Sequence, residues 1–403
     1  MNRLLHRAFA CCGLAVIASV CPTGVEAGTF GLSGYTAGEV RLFFESPAFP
    51  EQKDEPQLSY VLAPEFRYRS DDRAHQVRLI PFVRLDSIDA NRTHGDIREG
   101  YWRYTQDGWR VLVGVNRIFW GVAESRHLVD IINQIDGVED IDQEEKLGQP
   151  MVLFGTQQAW GDVQLFLMPY FRERTFPGPD GRLRTEPPVS DDADYESAAG
   201  QSHVDAALRY AHHAGGWDIG GSYFYGTSRE PVLSPDETRR RLVPLYMLVH
   251  QLGADIQYTH KAWLWKFEGI VRDGYDDRFA AMVGGLEYTR YQVRGSSADL
   301  GWLLEYAYDG REPFRAPPTV FDNDVYVGLR FAMNDAQTTE ALVGGLIDLD
   351  TTATFVSIEA RRRVGDAWTV VLDGRFFSNL NEDAFAQSFE RDSFINVSLR
   401  RYF

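Results

Sequence analysis

The sequence predicts an all-β protein, in which antiparallel strands run up and down in chain order and close into one transmembrane barrel. Segments of roughly ten residues alternate apolar and polar positions, as strands do when one face meets lipid and the other meets water. Short and long connections between these segments alternate along the chain. After residue 27 there is no run of about 18 apolar residues, which a membrane-spanning helix requires. We count about 18 strands and keep about 16 as the alternative, both even numbers as bacterial barrels have.

The first 27 residues have the pattern of a secretory signal peptide. A short basic stretch precedes an uncharged apolar core at 8–20, and Ala27 ends a cleavage site of small residues. The apolar core is too short for a spanning helix, which needs about 20 apolar residues. We therefore predict a signal peptide at 1–27 and a mature barrel at 28–403.

Composition and charge exclude several functions. All three cysteines precede residue 28, so we expect neither disulfides nor thiolate chemistry in the mature chain. Removing the two arginines and one glutamate of the predicted signal peptide from the totals of 41 basic and 58 acidic residues leaves 39 and 57, a net charge of −18. This charge argues against nucleic acid as a partner.

The sequence contains no motif that predicts catalysis. Zincin, P-loop and nucleophile-elbow patterns are absent. The acidic run Asp136–Glu145 lacks the spacing of an EF-hand calcium loop, and we interpret it as a solvated loop. We therefore predict that the chain is not an enzyme and needs neither a cofactor nor a metal ion.

The last predicted strand, Phe394–Phe403, has the clearest alternation. Its apolar positions are Ile395, Val397, Leu399 and Phe403. The pattern resembles the C-terminal signature of Gram-negative outer-membrane β-barrels, although Arg401 replaces an apolar residue. The resemblance implies a location in the outer membrane among its lipids, and a membrane-assembly signal at these four residues that the barrel-assembly machinery reads.

The segment that follows the fifth predicted strand is expected to fold into the barrel. Ser125 can cap a helix whose apolar residues are spaced three and four apart. These residues are Leu128, Ile131, Ile132 and Ile135. Because such a helix must cover an apolar surface, we predict a partly helical, inward-folded loop at about 121–149.

The same region resembles a group of proteobacterial outer-membrane barrels, largely of unassigned function. The matching pattern is Arg-Glu-x-Tyr at 98–101, Trp-Gly at 120–121 and Asp-x-x-Asn at 130–133. Gly100 replaces the usual Ala of that group, and Gln134 replaces the usual Pro. General porins carry their constriction loop after the fifth strand, so the resemblance implies a pore but no particular substrate.

We therefore expect an outer-membrane channel that passes small solutes, with this loop as its constriction. The strand residues expected to line the pore are Arg41, Glu65, Arg67, Arg78, Arg84, Glu99, Tyr101, Arg103, Arg110 and Asn116. The loop residues expected to face them are Glu124, Arg126, His127, Asp130 and Asn133. A basic wall opposite an acidic loop predicts a transverse electric field. The alternatives are that these charges pair across neighbouring strands, and that Trp120 and Asn133 pin the loop.

Two other functions stay open on the sequence alone. Ile80, Phe82, Leu112 and Leu303 face inward in the predicted register. Such residues would suit a closed or laterally open barrel that moves hydrophobic or lipid-like molecules. A barrel enzyme or a structural barrel is the remaining alternative, and it would need a site at the rim. Two prolines, Pro64 and Pro81, fall inside predicted strands, where they cannot donate a ladder hydrogen bond.

Overall fold

The computed structural model describes residues 28–276, 278–312, 315–380 and 386–403. Within these ranges, 18 antiparallel strands form one sheet. The sheet closes into a barrel because β1 pairs with both β2 and β21. The predicted fold class and strand number are confirmed, whereas the predicted signal peptide lies outside the described residues.

The strands of the barrel are β1 (Gly28–Phe43), β2 (Gln57–Ser70), β3 (His75–Asp86), β4 (His94–Gln106), β5 (Trp109–Asn116), β6 (Gln149–Gln158), β7 (Gly161–Met168), β9 (Asp205–Ala214), β10 (Trp217–Thr227), β13 (Leu248–His260), β14 (Trp263–Asp273), β15 (Arg278–Arg290), β16 (Asp299–Asp309), β17 (Asn323–Ala332), β18 (Glu340–Asp348), β19 (Thr354–Val364), β20 (Trp368–Ser378) and β21 (Phe394–Tyr402). A small second sheet joins β8 (Asp194–Tyr195), β11 (Val232–Pro235) and β12 (Leu242–Tyr246). Short 3₁₀ turns lie at Gly200–Ser202, Val293–Gly295 and Ala386–Phe389.

The two ends of the barrel differ in their connections. At one end, here called the turn end, tight turns such as Asp107-Gly108 join neighbouring strands. At the other, the loop end, long segments such as 117–148 and 169–204 connect the strands. The small second sheet belongs to these long segments. No helix in the described part of the chain is long and apolar enough to cross a membrane.

Side chains alternate between the two faces of the wall as predicted. On β1, Val40 and Leu42 are 39% and 47% exposed, whereas Glu39 and Arg41 are 8% and 5% exposed. The apolar side chains therefore point outward and the charged ones inward, as a lipid-embedded barrel requires. Stacked aromatic rings follow the turn end of β10–β16, as interfacial girdles do. Their centroid distances are 4.3 Å for Trp217–Tyr258, 5.5 Å for Tyr258–Trp265 and 5.9 Å for Tyr288–Trp302.

The two prolines inside predicted strands do lie within β2 and β3. The register pairs Leu62 with Val83 and Phe66 with Leu79, and the ladder is interrupted between these pairs. Pro64 and Pro81 both lie in the interruption, and the register between β3 and β4 shifts beside Pro81. Proline has no N–H group to donate to a strand ladder. Both prolines therefore lie where the ladder between β2 and β3 is already interrupted.

The inward apolar residues do not form one continuous apolar lumen. Phe82 packs with Val61, and Leu303 packs with Tyr326, in two separate clusters. Leu112 belongs to a third and larger cluster. The inward orientation predicted for Phe82, Leu112 and Leu303 is confirmed by their burial, and the three residues belong to three different clusters.

Candidate functional site

Residues 117–148, here called the inner segment, run between β5 and β6 inside the barrel. A carboxylate on a strand across the barrel holds their backbone. Glu268 of β14 accepts hydrogen bonds from the N–H groups of Val122 at 2.6 Å and Ala123 at 2.9 Å. It also accepts one from Val129 at 3.2 Å. Because Glu268 is buried and faces inward, these bonds place the inner segment inside the barrel rather than above its rim.

Glu305 of β16 explains why the predicted helix does not form. Its carboxylate accepts the N–H groups of Glu124 and Ser125 at 2.8 Å each, and the Ser125 hydroxyl at 2.7 Å. Glu305 thus accepts hydrogen bonds from the N–H groups that would begin a helix and from the Ser125 hydroxyl that was expected to cap it. The inward path agrees with the prediction, but the partly helical conformation was wrong, since residues 121–148 contain turns, bends and isolated bridges and no helix.

Apolar residues fix the inner segment to one sector of the wall. They share a buried cluster with Phe166 of β7 and Ile270 of β14. Burying a side chain of this size contributes about 1.5–3 kcal/mol. The periodic spacing in the sequence therefore identified buried residues correctly even though they are not helical. Of the predicted residues, Leu128, Ile131 and Ile132 belong to this cluster and Ile135 is buried outside it; the cluster also contains Val129, which was not predicted.

Asn133 ties the two ends of the inner segment together. Its side-chain oxygen accepts the N–H of Ile118 at 2.8 Å. Its amide group donates to the carbonyls of Asn116 and Leu147, at 2.9 Å each. Trp120 is also buried in the large apolar cluster. These contacts favour the interpretation that Asn133 and Trp120 pin the segment.

The predicted basic wall touches the acidic part of the inner segment directly. Arg84 of β3 lies 2.7 Å from Glu139, and Arg98 of β4 lies 2.7 Å from Asp136. Arg41 donates to the backbone carbonyl of Glu139 at 3.3 Å. Burial alone would raise the pKa of Glu139, but the Arg84 guanidinium holds that pKa well below its usual range. These opposite charges form closed ion pairs between the wall and the inner segment at this place.

Two residues expected to face the basic wall contact a different sector. Glu124 pairs with Arg330 of β17 at 2.6 Å, and Arg126 pairs with Asp309 of β16 at 2.9 Å. The expected position of these two side chains opposite the wall of β1–β5 was therefore wrong. The inner segment crosses the lumen, so its start meets β14–β17 while its later part meets β1–β4.

Two more predicted residues pair within the inner segment itself. His127 lies 3.1 Å from Glu144, and Asp130 lies 3.4 Å from Lys146. Burial alone would lower the pKa of His127, but the Glu144 carboxylate raises it above its usual value. These pairs link the early and late parts of the inner segment.

The predicted residues of β2–β4 pair with their neighbours in the turn-end half. Glu65 lies 2.8 Å from Arg78 and 3.3 Å from Arg67. Arg78 also lies 2.9 Å from Glu99. This chain of pairs follows the alternative in which lumen charges pair across strands.

The last three predicted strand residues lie apart from the inner segment's charges. Arg110 pairs with Asp162 of β7 at 3.1 Å. Arg103 donates to the side chain of Gln76. Tyr101 is buried in the large apolar cluster. The structure therefore distributes the predicted lining residues over several sites rather than one ring.

One group of side chains has a spacing that could hold a metal ion. Ligand atoms of His94, Asp136 and Glu139 lie within 4.8 Å of one another. Both carboxylates already pair with arginines, Arg98 and Arg84, at 2.7 Å. Because the two guanidinium groups already supply the positive charge that a metal ion would supply, we interpret these side chains as an ion-pair network.

A cavity of about 520 Å³ separates the inner segment from the wall of β17–β20. From the inner segment, Glu124, His127, Asp140, Asp142 and Glu144 line it. From the wall, Tyr326, Leu342, Leu346, Phe355, Glu359 and Arg375 line it. The sequence interpretation did not assign these wall residues to a site. The alternation over 368–376 did predict an inward Arg375, but no local pattern connects that strand with a segment more than two hundred residues earlier.

No known family model matches this chain, and no curated protein matches its sequence. The family suggested by the pattern at 98–133 therefore stays a prediction. Solved structures do share the fold. A BenF-like porin from Pseudomonas fluorescens Pf-5 is 9% identical with a TM-score of 0.53, over 94% of this chain and 98% of that chain.

Two further structures are similar over most of their length. OccK11 (OpdR) of Pseudomonas aeruginosa is 11% identical with a TM-score of 0.51, over 94% of this chain and 98% of that chain. Wzi, an outer-membrane protein involved in group 1 capsule assembly in Escherichia coli and a carbohydrate-binding β-barrel, is 10% identical with a TM-score of 0.52, over 91% of this chain and 83% of that chain. At these identities the likeness shows the fold, a closed 18-stranded barrel of the outer-membrane porin type.

Proposed function

We propose that this chain is an outer-membrane channel for small solutes, whose path passes the inner segment on the side of β17–β20. The cavity on that side carries the proposal. Its volume of about 520 Å³ lies within the range of roughly 300–1,000 Å³ that small-molecule sites occupy. The other sides of the inner segment support the proposal as well, because apolar packing and closed ion pairs fill them.

In this proposal the inner segment is the constriction. It is attached to the wall through Glu268 and Glu305, through its apolar cluster and through the Arg84–Glu139 pair. Attachment on several sides makes it a fixed part of the bore. The charges that it presents to the cavity, Asp140 and Asp142 among them, would then set the preference for solutes through the local field.

The turn-end half of the lumen supports a water-filled path. Inward charged residues there keep large exposed fractions, 54% for the side chain of Arg67 and 64% for that of Arg361. Charged side chains remain exposed only where water reaches them. Water would enter from the turn end and meet the inner segment halfway along the bore.

The proposal also orients the barrel. Short turns lie on the periplasmic side of bacterial barrels and long loops lie outside. Outer-membrane lipids would then surround the outward apolar face. The alternating final strand would serve as the signal for the barrel-assembly machinery; its outward residues are Ile395, Val397, Leu399 and Phe403. The proposal assigns the chain no catalytic role.

A second candidate is a barrel that moves hydrophobic molecules. The apolar side of the cavity favours it, since Tyr326, Leu342 and Phe355 line that side. A hydrophobic solute would need a continuous apolar route, and charged groups such as Arg375 and Glu359 interrupt the lining. We therefore rank this candidate second.

Single-cysteine labelling tests the proposed path cleanly, because residues 28–403 contain no cysteine. Ser357 lines the cavity, and the adjacent Ile358 faces outward in the alternation of β19. Charged methanethiosulfonate reagents should reduce the planar-bilayer conductance of Ser357→Cys and leave that of Ile358→Cys unchanged. Mass spectrometry confirms labelling. Full labelling of Ser357→Cys without an effect would place the path elsewhere, and absence of any conductance would refute the channel.

A further inference from the structure

The charges around the cavity are not evenly balanced, and one group is basic. Glu230 lies 2.8 Å from both Arg272 and Arg311. Asp309 lies 2.9 Å from Arg126 and 2.7 Å from Arg311. Burial alone would raise the pKa of Glu230, but these arginines hold it well below its usual range. Three arginines therefore already neutralise two carboxylates at this place.

A fourth arginine, Arg174, interacts electrostatically with Glu230 of this group but forms no ion pair with it. It lines the cavity, and its Nε atom is buried without a hydrogen-bond acceptor. Its guanidinium lies 5.7 Å from the ring of Phe176 and makes no ion pair within the described part of the chain. Arg126, Arg174, Arg272 and Arg311 form what we call the basic end. An unpaired guanidinium there is ready to bind a carboxylate.

A second group around the cavity is acidic. Nη2 of Arg375 lies 2.7 Å from Asp142, 3.0 Å from Glu359 and 3.8 Å from Asp140. Three carboxylates share one guanidinium, which leaves an excess of negative charge. Burial and the neighbouring Asp140 raise the pKa of Asp142 to about 7, as expected for crowded carboxylates. We call Asp140, Asp142 and Glu359 the acidic end.

An apolar strip separates the two ends. The basic end contacts β14 and β16, and the acidic end contacts β19 and β20. Between them, Tyr326 of β17 and Leu342 and Leu346 of β18 line the cavity. From β16 to β19 there are three strand spacings, about 14 Å in total. A ligand that uses both ends must therefore be extended, with an apolar middle.

We propose that the cavity binds an extended zwitterion, a solute with a carboxylate at one end, an ammonium group at the other and an apolar body between. A short peptide with free ends is the simplest example, because three extended residues span about 10 Å and a hydrogen bond of about 3 Å at each end extends this reach to the separation of the two ends. Its carboxylate would meet Arg174, and its ammonium group would meet Asp142 and Glu359. Transport of such a solute rests on the proposed function, whereas its binding requires only the cavity.

Other charged residues of the lining do not compete for this ligand. His127 pairs with Glu144, and Asp130 pairs with Lys146. The remaining charged lining residues also have partners, which are Arg330 for Glu124, Glu186 for Arg184 and Asp205 for Arg229. Each of these pairs is neutral overall when both partners are ionised. The unbalanced charge of the cavity therefore lies at the basic and acidic ends, which sets the direction in which a zwitterion is held.

Calorimetry on the refolded 28–403 chain in detergent tests the inference with three peptides of one size. These are Gly-Phe-Gly, its N-acetyl form and its C-terminal amide. We expect each blocked peptide to bind at least tenfold more weakly than the free one. Equal affinities, or no binding of Gly-Phe-Gly, would overturn the inference.

Two substitutions separate the two ends. Arg174→Met should remove the discrimination against the amide but keep the discrimination against the N-acetyl peptide, and Glu359→Gln should do the reverse. Neither leaves a buried partner alone, since Arg174 has none and Arg375 keeps Asp142. Arg361→Gln removes a charge two residues along β19, outside the cavity lining, and should change nothing.

The outcomes also distinguish this inference from the proposed function. Selective binding in a protein that shows no conductance would support the zwitterion site and refute the channel. Conductance without selective binding would do the opposite. If both single substitutions changed all three peptides equally, the charged ends would not be the binding groups, and the inference would fail.

Discussion

Substitution of Glu268 by alanine is expected to release the inner segment from the wall while the barrel stays closed. This carboxylate accepts the N–H groups of Val122 at 2.6 Å and Ala123 at 2.9 Å. A hydrogen bond to a charged group contributes about 1.5–3 kcal/mol, so these two bonds together contribute about 3–6 kcal/mol. The strand ladders of β14 do not involve the side chain, and they should persist in the variant.

Hydrogen–deuterium exchange of peptides covering 118–132 measures this release directly. Because about 1.4 kcal/mol corresponds to a tenfold change, exchange should become at least a hundredfold faster in Glu268→Ala. Glu287→Ala is a matched control, since Glu287 is also an inward glutamate but bonds to Lys266 and Arg330 instead of the segment's backbone. Unchanged protection in Glu268→Ala, or equal loss in the control, would refute the role assigned to Glu268.

Three further predictions concern other contacts. Asn133→Ala should destabilise the inner segment by about 2–4 kcal/mol, since it removes three buried hydrogen bonds. Limited proteolysis between β5 and β6 should therefore become faster, while the gel bands of the barrel fragments persist. Arg84→Met leaves Glu139 buried without its closest cation, so thermal unfolding should show a loss of about 3–5 kcal/mol at pH 7 that shrinks as acid protonates the carboxylate. The pH dependence of Gly-Phe-Gly binding should differ between the native protein and Asp142→Asn. The peptide's own amino group titrates at about pH 8 and affects both proteins equally. Relative to Asp142→Asn, native binding should therefore weaken from pH 8 to pH 6, because the Asp142 carboxyl group, with its pKa raised to about 7, loses its charge; calorimetry of both proteins at both pH values checks this.

Much of the fold follows from local sequence patterns. Alternation of the kind seen at Val40 and Leu42 depends only on neighbouring residues, and it correctly predicted a closed barrel with outward apolar faces. The apolar spacing after Ser125 likewise identified residues that are buried inside the barrel. Both patterns show which side chains are buried away from water, and they depend only on residues that are close together in the sequence.

The conformation of the inner segment depends on residues far away in the sequence. Glu268 and Glu305 take the backbone donors of residues 122–129, and they follow these residues by about 140 and 180 positions. A helical period cannot reveal such partners, so the helix was predicted wrongly. The cavity is similar, because its acidic end joins Asp142 to Glu359 through Arg375, and only the closed barrel brings these residues together.

Planar-bilayer recording of the refolded 28–403 chain tests the proposed channel most directly. A solute channel should give large, steady, ohmic steps, whose amplitude falls when Ser357→Cys is labelled within the cavity beside the inner segment. Verified insertion into the bilayer without conductance would contradict it. The barrel would then have to be regarded as closed, and a bound hydrophobic ligand would be the next thing to look for.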